Sequence, residues 1–211
     1  MIISIEGNIG SGKSTIINYL KNNYLKNNDN QNMVFVDEPV NEWLNIKSNG
    51  KNALELFYED QDKNSFWFQI LAYITRLRNL LETIKKNPGK NIITERSIYT
   101  DKYVFAQMLF ESGKISDIEF QTYNYWFDTF ENETKIDVIL YVNTEPEECM
   151  NRIKIRNRSE ESSVELDYLK DCHSKHIDWL ENKQDSKIIY INGHQDKENM
   201  KKDVFKFINN I

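Results

Sequence analysis

The sequence predicts an α/β fold: a five-stranded parallel sheet with helices on both faces. Three observations predict it. Five short apolar runs, at 2–5, 33–36, 91–94, 137–142 and 187–191, have strand length and are rich in β-branched residues. Amphipathic stretches of helical period lie between them, the strand–helix alternation that builds a parallel sheet covered on both sides. A glycine-rich turn joins the first strand to the first helix.

That turn reads Gly7, Asn8, Ile9, Gly10, Ser11, Gly12, Lys13, Ser14, Thr15, and residues 7–14 fit G-x-x-x-x-G-K-[ST], the phosphate-binding P-loop. Glycines let backbone N–H groups curl around phosphate oxygens, and the helix N-terminus behind them adds free donors and positive dipole. Lys13 supplies a point charge to the outer phosphates and Ser14 a hydroxyl for Mg²⁺. A merely glycine-rich junction is the alternative, but three of the chain's seven glycines fall here, between strand and helix.

The first helix spans 13–25, with Ile16, Ile17 and Leu20 at helical spacing, and a polar loop covers 27–32. Asp37, Glu38 and Pro39 follow the strand at 33–36. Ligands of open α/β sheets bind at the carboxyl ends of strands, so Glu38 is a carboxylate at the functional edge, with Trp43 close behind. A solvated loop acid is the commoner reading of such a residue; its position favours a functional one.

Residues 52–86 are mostly helical, ended by Pro88 and Gly89, with Gln69 and Arg76 seven apart on one face. Glu95, Arg96 and Ser97 follow the strand at 91–94. A second carboxylate beside the P-loop suits Mg²⁺, which takes few protein oxygens plus water, and Arg96 suits phosphate or developing charge. An ion pair at a helix start is the plainer alternative.

Helices at 97–112 and 115–131 hinge near Gly113, with Trp126, Phe127 and Phe130 in the core or at a subunit interface. The helix at 145–155 runs into Arg152, Arg156 and Arg158, with Glu160 and Glu161 next, which reads as a lid over phosphates at about 152–163. A solvated basic face is the alternative. A helix at 164–182 carries His173 and His176, read as core or surface histidines rather than metal ligands, and His194 stands in a turn. The last helix runs to 211.

At 211 residues the chain is expected to form a single domain, 1–211. A net charge of −6 argues against a duplex nucleic-acid partner. Two cysteines, Cys149 and Cys172, imply no disulfide framework and fit a reducing, cytoplasmic setting. The chain opens inside a strand and has no run of membrane-spanning length, so neither a leader nor a membrane partner is expected. Residues 182–185 match N-K-x-D, a guanine-reading signature, but they precede a strand instead of ending one, and the sequence has no D-x-x-G.

Taken in order, these motifs resemble those of the deoxynucleoside kinase family, deoxycytidine/deoxyguanosine-kinase type, from residue 2 to about 181. The likeness rests on GNIGSGKST at 7–15, Glu38-Pro39-Val40 with Trp43, Tyr58 with Phe66-Trp67-Phe68-Gln69, Glu95-Arg96-Ser97 with Asp101 and Phe105, and Arg152, Arg156, Arg158 with Glu161. It implies a P-loop kinase fold with an Arg-rich lid and transfer of a phosphoryl group from ATP or another NTP to a deoxynucleoside 5′-hydroxyl. Glu38 would be the general base. Lys13 and the loop amides would hold the donor, Ser14 and Glu95 would organise Mg²⁺, and Arg96 would position Glu38 and the 5′ oxygen. The three lid arginines would close over the phosphates. Tyr58 and Glu161 would bind the sugar, Trp43, Phe68 and Phe105 would enclose the base, and Gln69 would read its edge.

Ala72, Arg76 and Asp101 match positions that in this family separate cytosine- and purine-accepting kinases from thymidine-preferring ones, so deoxycytidine, deoxyadenosine or deoxyguanosine is expected over thymidine. Trp67 and Phe57 depart from the family as bulky pocket residues, and Gly10-Ser11 replaces its usual alanines. The family also implies a homodimer through the helices at 97–112 and 115–131. Two other readings stay open: a nucleoside monophosphate kinase of thymidylate-kinase type, which an acceptor-side Glu38 disfavours by repelling a phosphate dianion, and a nucleotide-dependent switch without turnover.

Overall fold

The computed structural model describes residues 1–26, 32–183 and 185–208. Most of the loop expected at 27–32, Gln184 of the N-K-x-D match, and the end of the last helix at 209–211 lie outside these residues. Five strands form one parallel sheet: β1 (Ile2–Glu6), β2 (Met33–Val36), β5 (Asn91–Glu95), β6 (Val138–Asn143) and β7 (Lys187–Asn192), in the order β2-β5-β1-β6-β7. β1 sits at the centre, with Ile3 opposite Ile93 on one side and Val138 on the other. All five anticipated strands are present. The order places the carboxyl ends of β1, β2 and β5 side by side.

Alternation along β6 shows how the sheet divides its core. Val138, Leu140 and Val142 pack with Ile3 and Ile5 against Ile16, Ile17 and Leu20 of α1 (Lys13–Lys26) and Met200, Val204 and Ile208 of α10 (Lys197–Ile208). Ile139 and Tyr141 face the other way, into a cluster with Tyr73 and Leu77 of α4 (Gln61–Lys86), Phe127 of α7 (Asp117–Phe130) and Trp179 of α9 (Leu166–Asn182). Apolar burial on both faces is what continuous strands of Val, Ile and Leu require.

The structure differs from the expectation in three places. Between α2 (Val40–Asn45) and α3 (Ala53–Glu59) lies a small antiparallel pair, β3 (Lys47–Ser48) and β4 (Lys51–Asn52), that no apolar pattern announced. The helical stretch at 52–86 is two helices, because Asp60 ends α3 and its side chain accepts from Lys63 N–H to start α4. An Asn52–Glu55 capping box opens α3. The helix expected at 97–112 begins with a single turn, α5 (Ile98–Thr100), passes through a π-helical segment (Asp101–Ala106) and ends in α6 (Gln107–Glu111). Such wide turns often occur at functional sites, and this one carries Asp101 and Phe105. After α8 (Pro146–Arg156), a short 3₁₀ turn (Ser159–Glu161) leads to α9.

Candidate active site

A cavity of about 770 Å³ runs along the carboxyl edge of the sheet. Its floor at one end is the P-loop. The loop is tight: a Cβ on Gly10 (φ +80°) would lie 2.6 Å from the carbonyl oxygen of Cys149, and one on Gly7 (φ +143°) 2.8 Å from that of Val142. Lys13 is buried, and its Nζ donates to the Asn8 carbonyl at 2.7 Å. Burial, then the Arg96 charge, lowers its pKa to about 8, against opposing pulls from Glu95 and Glu38. Ile9, Gly10, Gly12, Lys13, Ser14 and Thr15 line the cavity. Gly7, Asn8 and Ser11 are not among its lining residues. Asn8 instead anchors the loop to α9 through Nδ2 to the Leu169 carbonyl at 2.7 Å.

Two carboxylates meet beside Lys13. Ser14 Oγ donates to Glu95 Oε1 at 2.6 Å. Burial and the Glu38 charge push the Glu95 carboxyl up. Burial would push Glu38 up as well, but Arg96, Arg76 and Lys13 outweigh it and hold the carboxyl below its usual range. Neighbouring acids whose environments pull them apart in this way are a mark of acid–base sites.

Glu38 is held from both sides. Arg96 Nε lies 3.2 Å and Arg76 Nη2 3.0 Å from its Oε1. Arg76 is a hub with every nitrogen committed: Nε donates to Asp101 Oδ2 at 2.9 Å and Nη1 to the Glu95 carbonyl at 2.8 Å. The anticipated Arg76–Asp101 pair is therefore present, and its contact with Glu38 is one the sequence did not announce. Arg96 sits at φ +60°, a left-handed conformation that costs an ordinary side chain about 1–2 kcal/mol. Its guanidinium lies over the Phe105 ring at 4.9 Å, and Nη1 is buried without a partner.

Aromatic rings wall the end of the cavity away from the P-loop. Phe57 stacks on Phe68 at 4.5 Å, and Trp43 meets Phe68 edge-on while its Nε1 donates to Thr75 Oγ1. Gln69 and Ala72 line the same space, and Gln69 Oε1 is buried and unpaired. Tyr58 lines it too, packed edge-on against Tyr168. Phe57 is the bulky wall residue expected. Trp67 is not in the cavity lining; it donates to Asn64 Oδ1 and packs on the edge of Phe68.

The lid residues reach the cavity by different routes. Arg152 is stitched down, with Nη1 donating to the Ser11 carbonyl at 3.0 Å and Nη2 to the Gly193 carbonyl at 2.8 Å. Arg156 grips Glu161 through Nε and Nη2, and Arg158 lies 3.7 Å from the same carboxylate. His176 is fully buried with Nδ1 on the Cys172 carbonyl, as a core histidine.

Tyr168, at the aromatic end beside Tyr58, and, at the P-loop end, Met200, Lys197 and the turn His194, Gln195, Asp196 also line the cavity, and sequence reasoning missed them. The turn follows β7, so the strand-end rule that flagged Glu38 and Glu95 applied to it as well.

The deoxynucleoside kinase family profile matches residues 3–211. The chain is 39% identical over 201 residues to a probable deoxycytidine kinase of fowlpox virus (strain NVSL), covering 92% of this chain and 79% of the relative. It is 37% identical over 199 residues to deoxycytidine kinase of Homo sapiens, covering 84% and 74%, and 31% identical over 225 residues to mitochondrial deoxyguanosine kinase of Xenopus laevis, covering 93% and 83%. A match over nearly the whole sequence, on the fold and cavity just described, shows that the chain belongs to the deoxynucleoside kinase family, a family of phosphotransferases.

Proposed function

We propose that the chain, as one kinase domain over 1–211, transfers the γ-phosphoryl group of ATP or another NTP to the 5′-hydroxyl of deoxycytidine, deoxyadenosine or deoxyguanosine, in nucleotide salvage. The observation that carries this is Glu38: an ionised carboxylate clamped by Arg76 and Arg96, facing the cavity between the P-loop and the aromatic walls.

Glu38 accepts the 5′-hydroxyl proton as the new O–P bond forms and the bond to the β-phosphate oxygen breaks, leaving a nucleoside monophosphate and a nucleoside diphosphate. A carboxyl held at low pKa is a modest base. That suffices for a loose phosphoryl-transfer transition state, where positioning and charge supply most of the acceleration. Lys13, the loop amides and Arg152 hold the donor phosphates. The unpaired Nη1 of Arg96 donates to the phosphoryl oxygens or to the 5′ oxygen. Arg156 and Arg158 meet the same charge once they give up part of their hold on Glu161.

Ser14 and Glu95 fit Mg²⁺: a hydroxyl and a raised carboxyl share one hydrogen bond at the helix start, and both are oxygen donors. A Mg²⁺ ion held by these two oxygens would help neutralise the charge of the donor phosphates.

At the acceptor end, Trp43, Phe68 and Phe105 enclose the base, Tyr58 and Glu161 take the sugar, and Gln69 offers its unpaired Oε1 to an amino group. Arg76 and Asp101 set a charged rim beside Ala72, which suits an amino-substituted base and leaves no apolar slot for a thymine methyl. The relatives' names, deoxycytidine and deoxyguanosine kinase, agree with this choice. The monophosphate-kinase reading places a dianion against Glu38 and is disfavoured.

The homodimer belongs to the same proposal. Ile118, Tyr125 and Trp126 of α7 are exposed at 70%, 77% and 48%, an apolar face for a second copy. A reducing, cytoplasmic setting belongs to the proposal on the two free thiols, Cys149 and Cys172. Among the described residues no helix is long and apolar enough to cross a membrane. The test of the reaction is turnover by Glu38→Gln, with nucleoside affinity measured alongside. Full activity in that variant removes Glu38 from the mechanism.

A further inference from the structure

Glu6 is the last residue of β1 and is completely buried. Its partners are three hydroxyls rather than a cation: Ser4 and Ser97 donate to Oε1, Ser97 at 2.7 Å, and Thr100 donates to Oε2. Glu6 is not in the cavity lining, so it touches no reacting group. Burying a carboxyl is costly unless it is hydrogen-bonded, and this one is met by three hydroxyls, two of them from the distant segment that follows β5.

What it fixes adjoins Arg96. Ser97 and Thr100 stand one and four residues beyond it, and Ser97 Oγ also accepts from Thr100 N–H as the cap of the next helical turn. On the other side, Arg96 N–H donates to the Ile5 carbonyl at 3.0 Å, and Thr94 Oγ1 donates to the Arg96 carbonyl at 2.8 Å. Arg96 is thus held in its left-handed conformation at N–H, at carbonyl and through the following turn. In an extended conformation its guanidinium would leave the position between Glu38 and Phe105.

We propose that Glu6 is a positioning residue for the kinase reaction: through Ser97 and Thr100 it locks the backbone that aims Arg96 at Glu38 and the transferring phosphoryl group. This rests on the role proposed above for Arg96. The P-loop strand then does two things. Its turn binds the donor, and its last side chain sets the arginine that serves the acceptor.

The test is a double-mutant cycle on kcat and nucleoside KM with Glu6→Gln and Arg96→Ala. Gln keeps the size of Glu but cannot accept at both ends of its side chain. Glu6→Gln is expected to lower kcat about 10-fold, the scale of a small misplacement of a reacting group, with KM nearly unchanged. In the Arg96→Ala background the same change is expected to cost less than about 2-fold, because the residue it serves is gone. An equal loss in both backgrounds, or none in the wild-type background, overturns the proposal. Wild-type activity in Arg96→Ala alone would instead overturn the role of Arg96, and the proposal with it. Where Glu6→Gln lowers the melting temperature too far for assay, Thr100→Val removes a single hydroxyl and is judged by the same cycle.

Discussion

The two ends of the cavity are made of different material. The proposed donor end rests mainly on one contiguous stretch, the P-loop, of which Ile9, Gly10, Gly12, Lys13, Ser14 and Thr15 line the cavity, with Arg152 and the turn after β7 beside it. The proposed acceptor end draws Glu38, Tyr58, Gln69, Arg76, Arg96, Asp101 and Phe105 from five separate segments. Its geometry is held by ion pairs that span 25 and 38 residues of sequence. A site made of backbone is fixed by steric room and changes little between triphosphates. A site made of side chains is fixed by buried charge, and it can be retuned one partner at a time.

The contrast breaks most sharply at Glu38. Glu38→Gln should lower kcat by roughly 10²–10⁴-fold, as loss of a general base does, with nucleoside affinity little changed in an equilibrium binding assay. At the donor end the comparable change needs only a methyl group. Gly7→Ala puts a Cβ 2.8 Å from the Val142 carbonyl oxygen at φ +143°, so the loop must open. The account expects about a 100-fold loss of kcat/KM for the triphosphate, carried mainly by KM, since misplacement of this order costs that much.

Gln69 sharpens the comparison. Its Oε1 is unpaired in the free protein, so Gln69→Leu should leave thermal stability unchanged or raised while kcat/KM for an amino-substituted nucleoside falls about 30-fold. A parallel loss of melting temperature would make Gln69 a core residue rather than a reader. Removing Arg76 and Asp101 together, as Arg76→Leu with Asp101→Ala, should raise thymidine turnover relative to deoxycytidine about 10-fold. An unchanged ratio would place specificity elsewhere in the wall.

The smallest effect lies behind the acceptor end. Burial, with the Arg96 charge, holds His176 neutral in the folded chain, well below its ordinary value of 6.5. The unfolded chain therefore takes up a proton first as pH falls. This part of the stability is complete above about pH 6.5 and is lost below it, by up to about 1.4 kcal/mol per pH unit. Urea melts from pH 7.5 to 5 should show the slope, and His176→Gln should flatten it.

This division also explains what could be read before the structure. A contiguous backbone motif is written in one stretch, so the P-loop and all five strands were legible from periodicity and glycine spacing. Glu38 and Glu95 were legible because strand ends point to one edge. Arg76 was legible as a polar residue on an apolar helix face and, through the family resemblance, as a partner of Asp101; its grip on Glu38 depends on strand order, which spacing does not state. Glu6 lies one residue past the run read as the first strand, and two of the three hydroxyls that bind it lie 91 and 94 residues away. The break at Asp60 was missed because the polar run at 59–65 holds no glycine or proline to mark a helix end. The π-helical turn at 101–106 was missed because apolar spacing does not separate it from an α-helix.

The central claim is that Glu38 serves the sugar 5′-hydroxyl of a deoxynucleoside whose base carries an amino group. The most direct measurement is a phosphorylation panel with purified protein, ATP and Mg²⁺ against each of the four deoxynucleosides, with dTMP and dCMP alongside. The account predicts turnover of deoxycytidine, deoxyadenosine or deoxyguanosine, with little on thymidine and none on the monophosphates. Thymidine turned over as well as the others would contradict the reading of Arg76 and Asp101, and activity confined to dTMP or dCMP would contradict the acceptor site itself.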